Sequence, residues 1–272
     1  MASDSFQPPS PQLLRREDFP QLLHALKQLG YQIVGPVLSQ GAIQWKPITT
    51  PEDLPIGWKD QQEPGSYRLE PDPNTRYFNI IHGPESLKPL TFAPRETLLV
   101  LDHQDRTFSA KEIQPDTTPT AVLGVRACDL AGLDIQDRIF LHGTYPDPYY
   151  QQRRENLLLI AVNCTRAHST CFCASMETGP KAQHGFDVSL TEADEDFLIE
   201  AGSAKGFKIL QQLPCSIATE ERIQQDEDRI AACAAGQTRS LPKTGLPDAL
   251  YEAHEHPRWD QVAARCLSCT NC

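Results

Sequence analysis

Two apolar runs separated by helical sequence restrict the fold most: TAVLGV (120–125) and NLLLIAVN (156–163). Neither alternates polar with apolar residues, as a strand with one wet face would. Each is therefore expected to be buried on both faces, in the middle of a parallel sheet. Between them Leu130 and Leu133 keep a helical spacing, and DPYYQQRRE offers Asp147 as N-cap and Pro148 as the first helical residue. Strand, helix, strand predicts a right-handed crossover and a parallel pair. ETLLVLD (96–102) has the same apolar character and is expected to be another buried strand, and FDVSL and DFLIEAG add two more.

Nearer the N-terminus, Asp18 is placed to cap a helix through FPQLLHALKQL, with Phe19, Leu22, Leu23, Leu26 and Leu29 as its apolar stripe and Gly30 as its stop. YQIVGPVL and AIQWKPI read as two strands around a Ser-Gln-Gly turn. The fold class is α/β with mixed elements: a partly parallel sheet, with loops that carry the chemistry at strand C-terminal ends, followed by a helical segment. Residues 1–17 read as a disordered arm, 18–215 as the α/β body and 216–245 as a helix and linker. Residues 246–272 form a separate C-terminal piece, and Thr49–Asn74, rich in Pro, Gly and acids, a long surface connection.

The chain has 272 residues and a net charge of −11, which disfavours nucleic acid and anionic membrane surfaces as partners. No apolar run approaches the roughly 20 residues needed to span a bilayer. MASDSFQPPSPQLLRRE has no apolar core of a secretory signal. A reducing cytoplasm is expected, where nine cysteines serve as ligands or free thiols rather than as a disulfide framework.

Cysteine placement is the most informative feature. Cys128 follows TAVLGV and opens a helix, while Cys164 follows NLLLIAVN and leads through CTRAHSTCFC to Cys171 and Cys173. If the two runs are neighbouring parallel strands, their C-terminal ends, where open α/β sheets bind ligands, lie side by side. Four thiols would then converge from two loops, a complement for one 4Fe–4S cluster or one structural zinc. Zinc is the weaker option, because structural zinc sites usually draw on two C-x₂₋₄-C knuckles and the body has none. Lone cysteines after strands are usually small core residues, but C-F-C in a polar loop has no packing reason to carry two thiols. Arg126 can donate to cluster sulfurs or pair with an acid. Asp129 can complement the helix dipole, and His168 is expected to be solvated. Cys215 and Cys233, without thiol partners at ligand spacing, read as packing residues.

Cys266, Cys269 and Cys272 form CLSCTNC, three-quarters of the ferredoxin run C-x₂-C-x₂-C-x₃-C-P. The motif reads as cut short, the start of a truncated dicluster ferredoxin domain that continues beyond it.

Together VLGVRACDLAGLDIQDRIFL, DPYYQQRRENLLLIAVNCT, TCFCASMETGP, GFDVSLTEADEDFLIEAGSAKG and RCLSCTNC resemble the family of sulfhydrogenase beta subunits and the related iron–sulfur subunit of anaerobic sulfite reductase. The resemblance implies a cytoplasmic 4Fe–4S electron-transfer subunit with Cys128, Cys164, Cys171 and Cys173 as ligands of a body cluster. It further implies partners: a flavin- and nicotinamide-binding redox protein, together with the catalytic subunit of a hydrogenase or sulfite reductase. Two alternatives remain at this point. One is a stand-alone redox enzyme using the Cys-rich loop, with SMETGP shaping a pocket, although no G-x-G-x-x-G follows a strand and no Ser/His/Asp order persuades. The other is a zinc-stabilised interaction module.

Overall fold

The apolar runs pair as their composition demands. In the computed structural model, which describes residues 6–265 except 64–65, 82, 84, 105–106 and 243, an eight-stranded mixed sheet forms the body. Strand β1 (Gln12–Arg15) precedes helix α1 (Phe19–Gln28) and the hairpin β2 (Gln32–Ser39)–β3 (Ala42–Pro47). Two small hairpins follow, β4 (Trp58–Glu63)–β5 (Ser66–Pro71) and, after the short α2 (Lys88–Thr91), β6 (Leu99–Gln104)–β7 (Thr107–Glu112). Then come β8 (Thr120–Val125), α3 (Ala127–Phe140), α4 (Pro148–Glu155), β9 (Leu157–Val162), β10 (Val188–Glu192) and β11 (Asp196–Ala201). The remaining elements are α5 (Ala204–Leu210), β12 (Ser216–Ile217), α6 (Glu220–Ala235), α7 (Leu246–Glu252) and α8 (Arg258–Ala263).

The sheet order is β12-β1-β11-β10-β9-β8-β2-β3. Its centre, β10-β9-β8-β2, is parallel, and antiparallel strands close both sides. β9 is buried at all six positions, as expected of a strand covered on both faces. Its Leu158, Ile160 and Val162 join Ala121, Leu123 and the helical Leu22, Leu26 and Ile209 in one core layer. Leu157, Leu159 and Ala161 join Val122, Val125, Leu130 and Leu133 in the other. Each of the leucine, isoleucine and valine side chains, fully buried, contributes roughly 1.5–3 kcal/mol. The β8–β9 register shifts between Leu123 and Val125. Gly124 sits there at φ +99, and a Cβ would come 3.2 Å from Pro36 Cδ, so a side chain is disfavoured by both backbone strain and a tight contact.

Local signals behave as expected at several ends. Asp147 Oδ1 accepts from Tyr149 N at 2.8 Å and Tyr150 N at 3.1 Å, capping α4. The β2–β3 turn takes positive φ at Gln40 and Gly41, and Gly30 ends α1 at φ +85.

Other expectations are corrected. The run in ETLLVLD is not a buried central strand. It supplies β6 of a two-stranded hairpin whose Leu101 and Phe108 are 63% and 77% exposed. Gln12–Arg15, read as part of a disordered arm, is hydrogen-bonded between β11 and β12. The connection from Thr49 to Asn74 holds the β4–β5 hairpin and the buried Asp60. Asp18 does not bond the α1 backbone; its carboxylate accepts from Arg15 Nε and Gln21 Nε2. Leu29, assigned to the apolar stripe, is exposed. No helix among the described residues is long and apolar enough to cross a membrane.

Candidate metal centre

β8 and β9 are parallel neighbours, so the residues following them emerge at the same end of the sheet. Arg126 and Cys128 follow β8 into the first turn of α3, and Asn163 and Cys164 follow β9. From Asn163 to Asp187 the chain contains neither helix nor strand, yet it is closely tied down. Asn163 is buried; its Nδ2 donates to Thr191 Oγ1 at 2.9 Å and its Oδ1 accepts from Ala182 N at 2.8 Å. Cys164 N donates to Pro180 O at 3.2 Å, Cys171 N to His168 O at 3.0 Å and Thr178 N to Cys173 O at 3.0 Å. At Gly179 a Cβ would lie 3.2 Å from Cys173 Sγ, a tight contact that would press on the thiol.

This loop brings Cys171 and Cys173 back towards Cys128 and Cys164. Cys128 lies within electrostatic range of Cys164 and Cys173, Cys164 of Cys171, and Cys171 of Cys173. Burial pushes all four thiols above their usual range, Cys128 well above it, and neighbouring thiols and Asp129 push the same way. Cys128 nonetheless retains an exposed surface, and the other three are half-buried. Among the described residues, no three His, Cys, Asp or Glu side chains gather closely enough to hold a single metal ion.

Arg126 is buried beside Cys164. Its Nη2 donates to Phe78 O at 3.1 Å and Ile80 O at 2.5 Å, and its Nη1 to Val162 O at 3.2 Å, with Cys164 Sγ at 3.8 Å. None of these acceptors is a carboxylate, and Nε has no hydrogen-bond partner among the described residues. Asp129 is spent locally, its Oδ2 accepting from Arg126 N at 2.8 Å at the helix start.

His168 is held rather than solvated. Its Nε2 lies 2.8 Å from Asp60 Oδ2, and its backbone N donates to Cys171 Sγ at 3.4 Å. Asp60 also takes Arg166 Nη2 at 2.6 Å and Ile81 N at 2.8 Å. Burial would raise the Asp60 carboxyl, but the bonds from His168 and Ile81 and the nearby Arg166 outweigh it and hold it below its usual value. Sequence reasoning missed Asp60, for an acid inside a Pro- and Gly-rich connection carries no local mark of burial.

Of the two cysteines read as packing residues, Cys215 packs against the α1-side core, where burial raises it to about 11. Cys233 is buried too, pushed up to about 12, but α6 places it within electrostatic range of Cys164, Cys171 and Cys173. It is a fifth thiol, near three of the four. Cys266, Cys269 and Cys272 lie outside the described residues.

The fold and site define an α/β protein with a thiol-rich centre on the C-terminal ends of adjacent parallel strands. No family model and no solved structure matches the chain. It is 28% identical over 261 residues to the sulfhydrogenase 2 subunit beta of Pyrococcus furiosus, a match covering 95% of this chain and 69% of that protein. The similarity is spread over nearly the whole chain.

Proposed function

We propose that the chain is an iron–sulfur electron-transfer subunit of a hydrogenase-type oxidoreductase complex, holding one 4Fe–4S cluster on Cys128, Cys164, Cys171 and Cys173. The observation that carries this reading is the approach of four thiols to within electrostatic range of one another, from the start of α3 and the loop after β9, at one end of the sheet. A cube takes one thiolate per iron, so the donor set matches in number and kind. When bound, the cluster supplies a one-electron redox couple.

The surrounding side chains fit that group. A buried guanidinium without a carboxylate among its hydrogen-bond acceptors is costly unless negative charge lies near it, and thiolates around a cluster supply that charge. Arg126 thereby holds Cys164 and favours the more reduced, more negative state. Asp60 fixes the His168 and Arg166 ends of the loop, so Cys171 is presented from an ordered backbone.

In this reading the chain passes electrons between a flavin- and nicotinamide-binding partner and a catalytic subunit in the cytoplasm. Cys266, Cys269 and Cys272 match the opening of a ferredoxin run, and three thiols hold a further cluster only where a fourth ligand completes it. The relative's name as one subunit of a sulfhydrogenase supports the assembly. The test is electron paramagnetic resonance on anaerobically purified protein. A signal that appears on reduction with dithionite, together with bleaching of the visible absorption, is expected; a protein that neither bleaches nor gives a signal overturns the proposal.

A further inference from the structure

Gln237 lies just beyond α6, in the stretch read from sequence as linker. Its Oε1 accepts from Ala174 N at 3.0 Å, and its Nε2 stands 3.2 Å from Cys173 Sγ. The orientation of the amide is not arbitrary. A backbone N–H can only donate, so Oε1 must face Ala174, which leaves the NH₂ group to donate to sulfur. The segment is anchored on both sides. Leu241 N donates to Ser175 Oγ at 3.0 Å, and α6 is held to the body by Arg222, whose Nη2 meets Asp196 Oδ1 at 2.6 Å.

We infer that Gln237 is a positioning residue of the thiol centre, whose amide donates to the Cys173 sulfur and sets the reduction potential of the group that the thiols hold. The inference rests on the cluster reading above. A hydrogen bond to a ligand sulfur withdraws negative charge from it and stabilises the reduced state, raising the potential. Gln237 does this from the segment after α6, so that segment belongs to the site rather than to a tether beside it.

Two variants separate this role from a structural one. Gln237→Glu keeps an acceptor for Ala174 N but removes the donor and adds negative charge, whereas Gln237→Leu removes both bonds at similar size. Redox titrations of the anaerobically purified full chain, followed by visible absorption and electron paramagnetic resonance, read the effect. Both variants are expected to retain the wild-type iron content and to shift the midpoint to lower potential, Glu further than Leu, with altered g values. Unchanged potentials and spectra in iron-loaded variants overturn the inference while leaving the cluster reading intact. Loss of iron from both variants makes Gln237 a structural clamp and overturns it as well. A wild-type protein without iron overturns the cluster reading itself, and this inference with it.

Discussion

The β6–β7 hairpin and the loop from Asn163 to Asp187 invert what their sequences suggest. The hairpin contains one of the most apolar runs in the chain, yet Leu99, Val100, Leu101 and Phe108 face outward. The loop is polar and without regular structure, yet its backbone is bonded turn by turn and anchored by three buried or half-buried polar side chains, Asn163, Asp60 and Gln237. Apolar content decides burial only where a strand finds neighbours on both sides, as β9 does between β8 and β10. A loop is fixed instead by satisfied buried polar groups, whose loss costs more than their presence gains.

Substitutions can break or sharpen that contrast. The largest effect is expected from Cys171→Ala or Cys173→Ala, which should remove the iron from the body centre; Cys215→Ala, in the opposite core layer, should leave it unchanged. Equal losses from all three would erase the distinction between the loop thiols and a packing cysteine. Next in size, Asp60→Ala leaves Arg166 and His168 without their buried partner and should cost about 3 kcal/mol in urea unfolding. Asn163→Ala breaks two buried hydrogen bonds and should cost about 2 kcal/mol. A loss below ~0.5 kcal/mol from both would mean that the loop is not held by these anchors. At the small end, Leu101→Ser on the hairpin should change stability by no more than ~0.5 kcal/mol in the isolated chain. A cost of a buried leucine, about 2 kcal/mol or more, would show that the hairpin is covered.

Acid sharpens the comparison further. The Asp60 carboxyl titrates lower in the folded chain than its unfolded value near pH 4. Its contribution is therefore complete above that value and lost as pH falls through the lower, folded one. Wild type should lose stability over that acid interval, and Asp60→Ala should lose less; parallel curves would remove Asp60 from the account.

The sequence made the framework legible where one local rule acts alone. The runs of β8 and β9, the Asp147–Pro148 helix start and the β2–β3 turn each follow from composition or backbone preference. The placing of Cys128 and Cys164 after adjacent parallel strands followed from the same rules. What was not legible depends on distant partners. Asp60 meets Arg166 across more than a hundred residues of chain, and Gln237 meets Cys173 from a stretch that carries only linker signals. Cys233 shows how a correct reading stays incomplete, for it is buried as a packing residue should be, while its helix also sets it beside the loop thiols. ETLLVLD failed for the opposite reason: an apolar run reports what a segment could bury, not whether a neighbour arrives.

The central claim is that the first turn of α3 and the loop after β9 together hold one cluster. Iron and acid-labile sulfide, measured per chain on anaerobically purified wild type and on Cys128→Ala and Cys171→Ala, test it with one thiol removed from each. The account predicts about four iron and about four sulfide attributable to this centre in the wild type. Both substitutions should lose them. A colourless protein with about one zinc per chain, or a Cys128→Ala variant with its full complement of iron and sulfide, would contradict it.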